Sequence, residues 1–303
     1  MVIEKPRKDP EQMRSQTLTL PDGRQLGYAV EGEGKPVIYF HGTASSRLEI
    51  LLLKEFAHSN QFQLICIDRP GYGLSTFADR FRLRDFALDV NALADHLELS
   101  SFAVLSWSGG GPFALTYIAL FPQRITHAVA VGSPALPFDA SAAHNGNPLA
   151  KVALKNPFLA TWALNFFRKF ILNANRDIDG YLESRSGKNM VADWSKPIQK
   201  FFADASWLKR MYAAMAEGFR QESSVKAVFQ EHRLFLKPWS ENLERIPAEK
   251  LTLWQGAQDK TCPVGNAQKI AHAAKGTRVE FFPDEGHCVM FAQTQKLSNE
   301  LNT

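Results

Sequence analysis

Residues 101–122 read SFAVLSWSGGGPFALTYIALFP. An apolar run, Phe102–Leu105, breaks on two serines set two residues apart and three glycines. After Pro112 it resumes with Phe113, Ala114, Tyr117, Ile118 and Phe121 at helical spacing. The stretch predicts a buried strand that turns at once into an amphipathic helix, with the proline suited to a first helical turn. Such a turn strains its central residue, and the positions two before and two after must be small to avoid a clash. Ser106, Ser108 and Gly110 fit small-x-Ser-x-small, whereas a turn centred on Ser106 would place Val104 where a small residue is needed. Ser108 is therefore the candidate nucleophile, with the positive end of the helix beginning near Gly111 aimed at it. A glycine-rich turn with unreactive serines has the same local pattern. A phosphate loop does not, since G-K-[ST] and G-x-G-x-x-G are both missing.

Working outward, Thr17–Leu20 and Gln25–Val30 flank a Pro21-Asp22-Gly23 turn and predict a hairpin. Val37–Phe40, Phe62–Ile67 and Ala128–Val131 are short apolar runs of the kind buried on both faces of a sheet. Arg47–Asn60 predicts a helix. A second is predicted over 83–97, where apolar residues fall at 83, 86, 87, 90, 93, 94 and 97. Beyond Ala135, with Pro134 and Pro137 marking the exit, the alternation stops and about a hundred residues predict helices only. Phe158, Trp162, Phe166 and Phe170 recur every four residues there. Trp194, Ile198, Phe201, Phe202, Leu208, Met211, Tyr212, Met215 and Phe219 continue the pattern. Strand and helix then return at Leu251–Trp254, Val264–Ala274, Val279–Phe282 and from Val289. The expected fold is α/β: a mostly parallel central sheet with helices on both faces and a helical lid inserted after the sixth strand. The expected division is a core over 1–134 and 241–303 and a lid over 135–240.

Composition narrows the function classes. With 303 residues, 45% hydrophobic and 22% charged, the chain is long enough for a large core. A formal charge of +4 with no block of like charges predicts no nucleic-acid partner. No apolar run predicts a membrane span, and the polar N-terminal stretch predicts no signal peptide. Cys66, Cys262 and Cys288 lack C-x-x-C spacing and predict reduced thiols in a cytoplasmic protein.

A serine nucleophile needs a base, and the base needs an orienting acid. His287, in Pro283-Asp284-Glu285-Gly286-His287, directly follows the last predicted strand. His41, in Phe40-His41-Gly42-Thr43, follows the third and is the other candidate base, while His96, His127 and His272 fit structural or surface roles. Asp259 lies on the loop after the penultimate strand, in Gly256-Ala257-Gln258-Asp259. Ser108, Asp259 and His287 each follow a strand and so fall on the carboxyl edge of a parallel sheet, where active sites of open α/β sheets form.

These features resemble the α/β-hydrolases, lid-bearing serine hydrolase branch. The likeness rests on His41-Gly42, on Asp68-Arg69-Pro70-Gly71-Tyr72-Gly73-Leu74-Ser75, on the turn at Ser108, on Gly256-x-x-Asp259 and on Gly286-His287. It runs over nearly the whole chain; the one departure is Ser106 in place of the first glycine of G-x-S-x-G. The resemblance implies that Ser108 attacks an acyl carbonyl, that His287 acts as base and then acid, and that Asp259 orients the imidazole. The oxyanion donors it implies are the backbone N–H of Gly109, with Trp107 as the other neighbour of the nucleophile, and that of Thr43. His41 then braces the loop, and Cys288 and Cys262 are packing residues. No metal or organic cofactor is implied.

Serine at the turn sets aside relatives that use aspartate to open epoxides or displace halide. Thr43-Ala44-Ser45 departs from the H-G-G-P-G of proline-releasing aminopeptidases. What remains is hydrolysis of a carboxylic ester, thioester or lactone. The alternatives are carbon–carbon bond hydrolysis and a non-catalytic member that binds a small ligand. Residues 140–240 hold nine phenylalanines and four tryptophans, which predicts a small apolar ester-like substrate under the lid as well as packing of the lid on the sheet.

Overall fold

Eight strands form one sheet in the order β1-β2-β4-β3-β5-β6-β7-β8. They are β1 Ser15–Thr19, β2 Gln25–Glu31, β3 Lys35–Phe40, β4 Phe62–Ile67, β5 Phe102–Trp107, β6 Ile125–Val131, β7 Leu251–Gly256 and β8 Arg278–Phe282. The computed structural model describes residues 15–138, 156–192 and 204–303, with residues 196 and 199. The β1–β2 and β2–β4 pairs are antiparallel, and every later pair is parallel. The predicted hairpin turn closes with Leu20 N–H on the Arg24 carbonyl at 2.8 Å.

Register decides where the loops emerge. Phe40 is level with Ser106, Trp107 with Val131, Val131 with Trp254, and Gly256 with Phe282. The carboxyl ends of β3, β5, β6, β7 and β8 therefore share one edge. Successive strand residues point to opposite faces. Tyr39, Leu105, Trp107, Val129, Val131 and Trp254 accordingly enter one core, and Ile38, Phe40, Val104, Ala128, Ala130 and Leu253 enter the other.

The helices are α1 Lys54–Asn60, α2 Leu83–His96, α3 Gly111–Leu120, α4 Pro157–Arg176, α5 Ile178–Glu183, α6 Arg185–Ala192, α7 Ala205–Gly218, α8 Ser224–Phe235, α9 Gly265–Ala273, α10 Val289–Ala292 and α11 Thr294–Leu301. The 83–97 periodicity becomes α2, with Leu83, Phe86, Ala87, Val90, Leu93 and Ala94 buried. Three expectations need correction. The single helix over Arg47–Asn60 is a 3₁₀ turn, Arg47–Leu53, followed by α1, and the Ser46 side chain caps its start. The amphipathic helix after Pro112 is buried on all sides from Gly111 to Ala119, because α2 covers the face that the sheet does not. The final helix is two, α10 and α11. Between β6 and β7 the described residues form α4 to α8 and no strand. Trp194, Ile198, Phe201 and Phe202 lie outside the described residues. No helix among the described residues is long and apolar enough to cross a membrane.

Candidate active site

Trp107 ends β5 with extended backbone and Ser108 follows with a φ of 52°. That left-handed conformation is costly for a residue with a Cβ and persists only where its surroundings impose it. Here a strand must become a helix within three residues, and α3 begins at Gly111. Ser106 lies inside β5, fully buried, and its hydroxyl has no hydrogen-bond partner among the described residues. Ser108 is partly exposed at the turn. Of the two serines, only Ser108 stands where a substrate could meet it.

Asp259 and His287 come from the loops after β7 and β8. His287 Nδ1 lies 2.7 Å from Asp259 Oδ2. The other carboxylate oxygen accepts the N–H groups of Thr261 (2.8 Å) and Cys262 (2.9 Å), so the acid cannot rotate away. Both residues are buried. Gly132, just past β6, faces the pair: a Cβ there would lie 3.1 Å from both Asp259 Oδ2 and His287 Nδ1. The His287 loop is also held from the other side, because Trp107 Nε1–H donates to its carbonyl at 2.8 Å. The Trp107 and His287 rings are 5.4 Å apart.

The loop after β3 closes the site opposite. The Gly42 N–H is taken by Glu49 Oε1 at 2.8 Å, and the next N–H along belongs to Thr43. Gly109 sits against Thr43: a Cβ on Gly109 would be 1.9 Å from its hydroxyl oxygen and 3.2 Å from its backbone nitrogen. Glycine at 109 thus lets the two predicted oxyanion donors approach each other. His41 is fully buried, with Nδ1–H donating to the Gly42 carbonyl at 2.8 Å and its ring edge-on to Tyr72. Burial, reinforced by the Arg69 charge, holds His41 well below the ordinary imidazole value, so it is neutral. Cys66, Cys262 and Cys288 are free and buried, and burial pushes each thiol up in pKa, away from the reactive thiolate.

Residues 35–293 match the model of the alpha/beta hydrolase fold family. The chain belongs to this family. Its similar proteins include an uncharacterized hydrolase, YcgS, from Bacillus subtilis, 31% identical over 116 residues. That match covers 37% of this chain and 39% of the relative's own length. Among solved structures, an alpha/beta hydrolase fold protein from Nakamurella multipartita superposes with a TM-score of 0.66 at 21% identity, covering 95% of this chain and 98% of that one. A thermophilic esterase from Thermogutta terrifontis gives 0.63 at 17% identity, covering 95% and 97%.

Within this α/β-hydrolase, several residues that shape the site carry no local sequence signal. Glu49 accepts from Tyr39 O–H (2.6 Å) as well as from Gly42 N–H. Burial raises its carboxyl above the usual range, against the pull of those donors. Arg69 has no signal beyond its place in the Asp68–Ser75 motif, yet it is fully buried and donates to the carbonyls of His41 (2.6 Å) and Gly42 (2.9 Å). Gly132 could have been suspected only from its place directly after a buried strand. The aromatic series in the insertion also divides. Phe170 packs inward, whereas Phe158, Trp162 and Phe166 are 79%, 66% and 67% exposed.

Proposed function

We propose that the chain is a serine hydrolase that cleaves a carboxylic ester, thioester or lactone carrying an apolar acyl or alkyl group, through an acyl-enzyme. The observation that carries this reading is the bond from His287 Nδ1 to Asp259, on the sheet edge that also presents Ser108. An ionised carboxylate only accepts, so Nδ1 holds the proton and Nε2 keeps a lone pair. Ser108 Oγ attacks the acyl carbon and gives its proton to Nε2. The imidazolium, balanced by Asp259, then protonates the leaving group. Water attacks the acyl-Ser108 carbonyl in the second half, with His287 again as base, and the acid departs. The N–H groups of Gly109 and Thr43 meet the oxygen that turns negative.

The helical insertion, residues 135–240 between core segments 1–134 and 241–303, serves as the lid. An apolar substrate group accords with the aromatic content of the insertion, which reaches the strand of the nucleophile through a run of packed rings. Trp207 of α7 lies 5.2 Å from Phe291, and Phe291 lies 5.2 Å from Trp107, the residue before Ser108. The Thermogutta terrifontis protein of similar fold is an esterase, in agreement with the substrate class.

The test is hydrolysis of p-nitrophenyl esters from acetate to decanoate, with intact mass after fluorophosphonate treatment. Wild type is expected to peak at one chain length and to take one adduct at Ser108. Ser108→Ala is expected to lose about 10⁴-fold or more in kcat with its fold intact, and Asp259→Asn about 10⁴-fold. Wild-type turnover by Ser108→Ala would remove the nucleophile. No turnover of any ester would overturn the ester reading in favour of carbon–carbon hydrolysis or ligand binding.

A further inference from the structure

The loop that offers the Thr43 N–H does not rest on the sheet alone. Arg69, at the end of β4, uses Nη1 and Nη2 on the carbonyls of His41 and Gly42, and its Nε donates to Glu231 Oε2 at 2.7 Å. Glu231 belongs to α8, inside the insertion, and is itself buried. Its Oε1 accepts the Thr43 hydroxyl at 2.8 Å, and Tyr72 O–H donates to Oε2 at 3.0 Å. One carboxylate from the insertion thus holds the side chain of Thr43 directly and the two preceding carbonyls through Arg69. A buried ion pair is a poor source of stability, since desolvating both charges offsets their attraction. This pair gathers donors from, or bonded to, the three residues His41, Gly42 and Thr43, and orienting them is what its position accomplishes.

We propose that Glu231 is a positioning residue of the oxyanion loop, fixing the direction of the Thr43 N–H from the insertion. This rests on the serine-hydrolase reading and deepens it: the insertion completes the machinery that stabilises the transition state as well as covering the substrate. Oxyanion donors act on the developing charge and not on the ground-state carbonyl, so the effect belongs in kcat.

The experiment compares Thr43→Val, Thr43→Ser, Glu231→Gln and the Thr43→Val/Glu231→Gln double variant with wild type. Each is assayed on the best p-nitrophenyl ester and for inhibition by an alkyl boronic acid, whose tetrahedral adduct with Ser108 needs the same donors. Thr43→Val removes one hydroxyl at constant shape, and is expected to lower kcat about tenfold with KM within about threefold and to weaken the boronate in proportion. Thr43→Ser, which keeps the hydroxyl, is expected to stay within about threefold of wild type in kcat. Glu231→Gln should lose about as much as Thr43→Val, and the double variant little more than either, because the two act as one unit. Unchanged kcat in Thr43→Val, a change confined to KM, or losses that multiply in the double variant would overturn the proposal. Thr43→Val decides it alone if Glu231→Gln does not fold. A wild type that cleaves no ester and takes up no fluorophosphonate overturns this proposal and the hydrolase reading together. An active wild type with indifferent variants overturns this proposal only.

Discussion

Helices α7 and α8 and the outer face of α4 belong to the same insertion, yet they relate to the sheet in opposite ways. The first two are fastened to it by polar bonds. Ser46 Oγ donates to the Ala214 carbonyl (2.8 Å), Arg47 bridges Asp68 (2.8 Å) and Glu217 (2.9 Å), and Arg210 pairs with Glu55 while donating to the Leu51 carbonyl. Gln221, between α7 and α8, donates to the carbonyls of Gly73 and Ser75, both at 2.8 Å, and the Arg69–Glu231 pair lies deeper still. By contrast, α4 turns Ile171 and Ala174 inward and presents Phe158, Trp162 and Phe166 to solvent. A lid that swung away as one body would have to uncover Arg69 and Glu231. The inner half of the insertion is part of the core's construction, and the outer half is carried by it.

The strongest way to break this comparison is Arg69→Met, which leaves Glu231 buried without its cation. The expected loss is about 3–5 kcal/mol in urea unfolding, and Arg69→Met/Glu231→Leu should recover much of it, because an apolar pair replaces both charges. A loss below about 1 kcal/mol would mean that the pair does not fasten α8 to the sheet.

A middle-sized effect comes from His41. Its folded pKa lies below the ordinary 6.5, so the unfolded chain binds the extra proton. Its contribution to stability is therefore complete above 6.5 and is lost as pH falls, at about 1.4 kcal/mol per pH unit for one proton. His127 is depressed as well, first by burial, so the His41 share is the difference between wild type and His41→Asn. Stability curves that run parallel between pH 7 and 5 would show that His41 is not held neutral.

The smallest effect is reserved for the outer face. Serine at Phe158, Trp162 or Phe166 should change stability by about 0.5 kcal/mol or less each, a shift of about 1–2 °C in Tm. A loss of several degrees from any one of them would erase the distinction between the two halves.

What the sequence disclosed about this molecule follows from the range over which each signal acts. The turn at Ser108 and the α2 periodicity are local, and a few neighbouring residues suffice to specify them. Asp259 and His287 could be placed because each follows a strand of a parallel sheet, so chain order alone puts them on one edge. Glu231 sits on a helix whose own pattern concerns only its buried face, and its partners Arg69 and Thr43 precede it by 162 and 188 residues. Its spacing with Val225, Val228 and Phe235 puts it on that buried face, but nothing within a window of local sequence names the arginine and the threonine it meets there. The all-round burial of α3 is carried by its composition, since Leu115 and Ala119 are apolar as well and lie off the stripe. An apolar stripe tells which face meets the sheet but is silent about the helix laid over the other. The aromatic residues spaced by four in α4 show the converse, since a regular apolar series indicates a helix face without saying what lies against it.

The span of those bonds also sets a schedule. Thr43 meets Glu231 across 188 residues, and Trp107 meets the His287 carbonyl across 180. During synthesis, at about 5–20 residues per second, the segment bearing Ser108 leaves the ribosome many seconds before His287. On the proposed mechanism the nascent chain holds through that interval a serine without its base and, until Glu231 has emerged, without its braced amide, while the neighbouring hydrophobic strands await partners not yet made. On that mechanism, hydrolytic competence therefore arrives late, with the last strand and the loop that follows it.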